Sequence, residues 1–537
     1  MAKMTWLLML SLGAGCGLDQ ASESGGTGTR VKAEPGKADS SAEAVFVDFT
    51  FDGELRTRSF VWDAAQEVEN QLLYTIGHLN GDRSVGRLDR VILEDIETSQ
   101  EDGVTVVRYR ASMPVAWGED TVPSDYELRL PHDMSGDALE AFAEKYGHDC
   151  VDSSAHDVDA GVMWYYYRPE AYRCELDPSD VIVLEATVAP SPIQTTGKFP
   201  EYHRVWEDDA LKVVAVFGKA EDGATSDWDA GISGYNAFSR GIVQSLAEAT
   251  IETTPETLPR NPGVEMPEVS FAATLPDGKR VEVVSILVDN VRTAGPEFDA
   301  RYEELSSDAD LIFYNGHAGL GANIRALAAK GHWVPGQYAI VFMNGCDTYA
   351  YVDSALWDAH ARVNPDDPEG TKYLDVITNA LPSYFRSMPQ ATLALIEGLL
   401  AYDEPRTYEQ IFRDIDRAQV VLVSGEADNE FVPGGGGEPG GGFEGLEESG
   451  YVAQDGRHRF STPVLDTGSY TFVLSGDGDA DLYLRVGTEP SEEVFDCRPY
   501  HYGSAEECQV EIGTPAPVHL MVHGYRPANY RLVGAAN

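Results

Sequence analysis

The chain is 537 residues long and carries 89 Asp and Glu against 39 Lys and Arg, a formal net charge of -50 at pH 7. That length is several domains' worth, with ample apolar content for real cores. So negative a surface repels nucleic acid and anionic headgroups alike, which excludes nucleic acid as a partner, and most of the carboxylates are expected on solvated surface.

Taken in chain order, Lys3, the apolar run Trp6 to Leu12 and the small residues Gly13-Ala14-Gly15 precede Cys16. The run is too short to span a bilayer and reads as an export signal. It resembles a bacterial lipoprotein signal, departing from it at Gly13, where that signal has an aliphatic residue. The resemblance implies that Cys16 becomes the lipidated mature N-terminus and that the membrane is a partner through this anchor. The expected location is then the cell envelope or cell surface, or a form released from it. Residues 17–43, with Ser24-Gly-Gly-Thr-Gly-Thr29, lack apolar periodicity and are predicted to be a flexible tether.

Residues 44–204 read as an α+β region, placed where a pro-domain would be. It has alternating Val45 to Phe51, a helical stretch near Ala64 to Leu79 and a strand Gly103 to Arg110. From 205 to 431 strands and helices alternate: Leu211–Gly218, Ile232–Thr250, Arg280–Asp289, Glu297–Ser307, two apolar strands, a helix Tyr373–Arg386, a strand Ala391–Leu400 and a helix Tyr408–Arg417. Such alternation predicts an α/β fold with a mainly parallel sheet. A Gly-rich linker, 432–446, leads to an all-β module over 447–537. The expected fold class is thus multidomain: α+β, then α/β, then an all-β sandwich.

The two apolar strands carry the chemistry. Leu311-Ile-Phe-Tyr-Asn-Gly-His317 and Ile340-Val-Phe-Met-Asn-Gly-Cys346 both stop at Asn-Gly and then present a reactive side chain. Parallel strands would bring both to the ligand-binding edge of the sheet. The intervening chain has room for one crossover helix, Ala322 to Lys330. Of the six cysteines, an exported chain would pair Cys150 with Cys174 and Cys497 with Cys508. Cys346 is left over, either a nucleophile with His317 as its base or a small buried apolar residue.

The C-terminal module is the most specific match in the chain. Gly476-Asp-Gly-Asp-Ala-Asp-Leu-Tyr-Leu-Arg-Val-Gly487, Asp496-Cys-Arg-Pro-Tyr500, Glu506-Glu-Cys508 and His523-Gly-Tyr525 resemble the bacterial pre-peptidase C-terminal domain. That resemblance implies a small β-sandwich appended to exported peptidases. Asp477, Asp479 and Asp481 alternate, and calcium is the cation such carboxylates would take; turn and surface roles fit the same pattern. The His and Cys strands resemble the caspase and gingipain group of cysteine peptidases. The resemblance implies an acyl-enzyme formed on Cys346, with His317 as acid and base. It also implies an oxyanion hole from the backbone N–H groups of Cys346 and of Ala318 or Gly319, a peptide or protein substrate, and no required cofactor. Ala318 stands where the group has Gly. Asp353, Asp375 and Glu397 are candidates for an acidic specificity pocket, by analogy with members that cut after basic residues. Asp347 is expected to be a turn or cap residue.

Two further constellations read as structural. His156, Asp157 and Asp159 lack a second His at metal-ligand spacing, and a rigid turn fits them better. His203 has no nucleophile near it in sequence. Three readings follow: a lipid-anchored cysteine endopeptidase, an inactive relative that binds peptides or partners in the same crevice, and a structural or adhesive lipoprotein. The oligomeric state is not legible here.

Overall fold

The computed structural model describes residues 30–31, 39–433 and 445–536, apart from 120, 154, 156, 157, 192–194, 248, 455, 463, 464, 466, 488, 489, 493, 500 and 513–515. Residues through Phe431 form one compact unit, and those from Val432 a second.

The first unit opens with a seven-stranded antiparallel sheet in which the long strands Val45–Thr57 and Val104–Trp117 pair along their whole length. Alternate residues of Val45–Thr57, among them Phe49, Phe51 and Leu55, are buried, as a half-solvated strand requires. The helices Ala64–Leu72 and Tyr74–Asn80 fill the stretch read as helical. Asp63 starts the first of them by accepting from the N–H groups of Ala65 and Gln66.

The rest of this unit is built on a nine-stranded sheet. Its order is Thr250–Thr254, Glu268–Thr274, Arg280–Val288, Ala210–Gly218, Leu311–Asn315, Ala339–Asn344, Leu374–Asn379, Val421–Ser424 and Asp39–Ser41. The run from Arg280–Val288 to Leu374–Asn379 is parallel throughout; the flanking pairs are antiparallel. Helices Ala230–Ser245, Met388–Leu400 and Tyr408–Phe412 cover one face, and Pro296–Ser306, Ala322–Lys330 and Ala355–Val363 the other. Covered on both faces, the central strands carry continuous apolar runs.

Three expectations are corrected. Tyr373–Arg386, predicted as a helix, holds the strand Leu374–Asn379, every residue of which is buried. Asp375 disguised it, a carboxyl at the start of the strand bonded by Tyr338, Tyr408 and Asn429. Ala391–Leu400, predicted as a strand, belongs to the helix Met388–Leu400; it packs between neighbours on most sides, so it lacks the polar stripe of an amphipathic helix. The tether is shorter than residues 17–43, because Asp39–Ser41 is an edge strand of the large sheet. Side chains hold it rather than apolar burial. Asp39 accepts from Ser424 and Tyr349 and pairs with Arg87 and Arg90, while Ser41 donates to Val421 O.

The second unit is a pair of antiparallel sheets around one core, as expected. Leu446–Val452, Ala528–Ala536, Gly468–Gly476 and Glu506–Ile512 form one; Arg457–Ser461, Val518–Arg526 and Asp479–Val486 the other. Both expected disulfides are present, Cys150–Cys174 and Cys497–Cys508, and Cys346 is the free cysteine among the described residues.

Candidate active site at the carboxyl ends of the parallel strands

Numbered by position in the chain, the five parallel strands lie in the order 2-1-3-4-5. Connections therefore leave in opposite directions on either side of the gap between Ala210–Gly218 and Leu311–Asn315. Open α/β sheets bind ligands at such a switch point, outside the strand ends. His317 stands there, two residues past its strand. It is exposed, its Nε2 is 3.0 Å from Ala220 O, and its ring meets Phe385 edge-on at 5.2 Å.

Cys346 follows the adjacent strand, and a buried ladder of amides fixes the two ends in register. Asn315 pairs with Asn344 in the sheet. Asn344 Nδ2 donates to Asn315 Oδ1, and Asn344 Oδ1 accepts from Asn379 Nδ2 and Ser383 Oγ, each at 2.9 Å. Gln419 Nε2 donates to Ser383 Oγ at 2.7 Å, and Thr392 Oγ1 to Asn315 Oδ1 at 3.0 Å. Buried polar groups with partners on this scale lock a geometry. The Asn of each Asn-Gly pair that ends the two apolar strands is a rung of this ladder. The third rung, Asn379, ends the strand Leu374–Asn379, which lies in the stretch predicted as a helix.

Beyond the ladder the two loops touch. A side chain at Gly345 would meet Gly316 O at 2.9 Å and the nitrogen of Ala318 at 3.2 Å, so glycine is needed for the close approach. The His loop then takes a left-handed path through Gly319, Leu320 and Gly321 into the helix Ala322–Lys330. Ala318 itself is outside that left-handed stretch, so Ala in place of Gly there carries no backbone strain. Tyr314 OH donates to His317 O at 3.0 Å, and Asn323 Nδ2 donates to the same carbonyl and to Tyr314 OH. Within the described residues the N–H groups of Ala318 and Cys346 donate no hydrogen bond to the backbone.

Cys346 keeps some accessible surface, yet the protein packed round its sulfur desolvates it. Its Sγ donates to Ser383 O at 3.5 Å, and the Tyr165 hydroxyl lies against it. Burial first and the neighbouring Asp347 second push the thiol up to about 11. Asp347 departs from the expected capping role. It precedes the short helix Thr348–Tyr351 in a left-handed conformation, makes no side-chain cap bond and is fully buried. Burial pushes its carboxyl up to about 7. Among the described residues, no hydrogen bond joins His317 to Cys346; each side chain is bonded to a different carbonyl.

Each pocket candidate has partners of its own. Asp353 pairs with Arg325 at 2.7 Å, Glu397 accepts from Ser245 at 2.6 Å, and Asp375 sits near the opposite end of its strand from Asn379, pushed up to about 7 by burial. His203 pairs with Glu201 at 3.1 Å and stacks on Phe431. Asp159 closes a turn on the N–H groups of Gly161 and Val162, and His156 and Asp157 lie outside the described residues, as does Cys16. In the second unit Asp477 accepts from Asn529 N, Asp479 from Gly503 N, and Asp481 pairs with Arg498. No three His, Cys, Asp or Glu side chains converge on a metal-sized site among the described residues.

No family model matches the chain. A short C-terminal stretch resembles the C-terminal domains of bacterial proteases. It is 38% identical over 69 residues to the neutral protease of Vibrio proteolyticus, covering 13% of this chain and 11% of that protein. Against the zinc metalloprotease of Helicobacter pylori it is 37% identical over 79 residues, 14% of this chain and 30% of the relative. Against the alkaline serine exoprotease A of Vibrio alginolyticus it is 36% identical over 88 residues, 16% of each. A solved structure titled vEP C-ter 100 is 31% identical, with 15% of this chain and 82% of that one covered at a TM-score of 0.14. The chain thus spans less than a third of each of these curated relatives, and they include metallo and serine proteases, so the shared stretch is silent on catalytic type.

Proposed function

We propose that the chain is an exported, lipid-anchored cysteine endopeptidase acting through Cys346 and His317. The observation that carries the reading is a pair of backbone N–H groups, at Ala318 and Cys346, that donate to no backbone carbonyl among the described residues and lie where the two loops touch beside the free thiol. Such donors suit an oxyanion. His317 leaves the Ala220 carbonyl and takes the thiol proton. The thiolate attacks the scissile carbonyl, forming the S–C bond while the oxyanion rests on the two N–H groups. Collapse breaks the C–N bond, and imidazolium gives its proton to the leaving amine. Water, deprotonated by His317, then hydrolyses the thioester. This chemistry uses no cofactor. The protease-like C-terminal stretch favours peptide substrates and export, and Cys16 would carry the lipid.

The raised thiol and its separate hydrogen bond favour a second reading, in which an inactive site binds peptides. A thiol-reactive acyl-peptide probe separates the two by mass spectrometry. Modification of Cys346 over hours, slowed at least ~100-fold by His317→Ala, is the expected result; equal rates in the two proteins refute the dyad.

A further inference from the structure

His317 is exposed at the crevice, whereas Cys346 is largely covered. Tyr349 and Ala350, just after Cys346, and Ala380 and Leu381, just after the third rung of the ladder, are built into the core of the α+β region with Met163, Trp164 and Tyr167. Leu320, Tyr351 and Tyr165 line the margin of that core. Trp164 meets Tyr351 edge-on at 6.3 Å, and Asn80 Nδ2 reaches Ala380 O at 3.5 Å. Tyr165, on the short helix Met163–Tyr166, places its hydroxyl beside the sulfur.

The covering turn is rigidly backed. The helix Tyr74–Asn80 packs against it backbone to backbone, since a side chain at Gly77 would meet Trp164 O at 2.5 Å and Tyr167 N at 2.8 Å. Arg168 donates to the carbonyls of Gly77, Tyr165 and Tyr167. The Cys150–Cys174 disulfide closes the loop that carries the turn, with Cys150 buried in the core. Among the described residues His317 is exposed, with only Phe385 edge-on to its ring and Ala220 O at its Nε2.

We propose that the turn Met163–Arg168 is an internal lid over the Cys346 thiol that holds the enzyme latent until the turn is displaced. This rests on the peptidase reading above. It gives the α+β region a function: it slows the access of peptide to the nucleophile while leaving the base in solvent.

The test uses the full chain with both disulfides intact. Iodoacetamide, a small thiol reagent, reports access to the sulfur regardless of catalysis, and peptide mapping restricts the readout to Cys346. Tyr165→Ala should raise the alkylation rate at pH 8 on the order of 10- to 100-fold, with Tyr165→Leu between it and wild type. Rates in urea-unfolded protein mark what a variant that merely unfolds would give. A wild-type rate in folded Tyr165→Ala overturns the lid. If alkylation accelerates, the acyl-peptide probe should accelerate with it and depend on His317. Faster alkylation without faster, His317-dependent probe labelling leaves the lid standing and removes the peptidase reading instead.

Discussion

Replacing Asp347 with Asn tests the electrostatics beside the thiol. The carboxyl is fully buried, and among the described residues neither oxygen makes a hydrogen bond of good geometry, although Asn80, Tyr165 and Arg168 lie near enough to offset part of the burial. It is pushed up to about 7, against about 3.9 in an unfolded chain. Roughly three pH units at about 1.4 kcal/mol each make the ionised form cost the fold about 4 kcal/mol. The folded state holds this proton more tightly than the unfolded one. The associated stability is therefore fully present below about pH 4 and is lost as pH rises through 7. Asn cannot ionise, so urea titrations of variant and wild type should converge near pH 4 and separate by about 4 kcal/mol at pH 8, with the variant the more stable. The thiol gives a second readout, since Asp347 is the second cause of its rise. Its titration, followed by iodoacetamide rate against pH, should fall by up to about one unit in the variant. Parallel stability curves would refute the account of the buried carboxyl. An unmoved thiol would show that its charge does not reach the sulfur.

Asn344→Leu strips bonds from Asn315, Asn379 and Ser383 at once, and should cost about 3–5 kcal/mol in urea unfolding; a loss under about 1 kcal/mol would mean the ladder is not stabilising. Gly345→Ala forces a methyl against Gly316 O and Ala318 N and should cost about 1–3 kcal/mol and slow the acyl-peptide probe, because the two N–H groups move apart. His360 is buried against Trp333 at 4.7 Å, with neither ring nitrogen bonded among the described residues, and burial pushes it down to about 4. Its sign is opposite to that of Asp347. The stability is present above about pH 6.5 and is lost as pH falls towards 4, by about 3 kcal/mol, so His360→Leu should flatten the acid limb of the stability curve and leave neutral pH little changed.

Short strands with unbroken apolar faces, Leu311–Asn315 and Ala339–Asn344, were legible because burial on both sides leaves no other reading for five or six such residues. The crossover helix Ala322–Lys330 was legible from the length between them. Both disulfides followed from local pairing in an oxidising compartment. What failed was decided by distant partners. Asp375 marks a loop or helix surface in a sequence, and only Tyr338, Tyr408 and Asn429, brought in from other elements, make it a strand residue. Asp39–Ser41 is polar throughout and becomes a strand through Arg87, Tyr349 and Ser424. At the site itself, His317 and Cys346 were recognisable by their matched settings. Tyr165 was not, because it belongs to another region and nothing in its neighbours' spacing points towards the thiol.

The amide ladder also bears on how this molecule ages. Asn followed by Gly is the pair most prone to deamidation, because an unhindered glycine nitrogen can close on the side-chain carbonyl to a succinimide. Two such pairs, Asn315-Gly316 and Asn344-Gly345, sit buried at the strand ends, with Asn344 bonded to Asn315 and Asn379 across the sheet. Held so, they are chemically quiet. Each excursion to the unfolded state releases them, and any Asp formed there would return as a charge with no place in the ladder. Deamidation at 315 and 344 is therefore a cumulative record of how often this sheet has opened, written at the positions that refolding most needs intact.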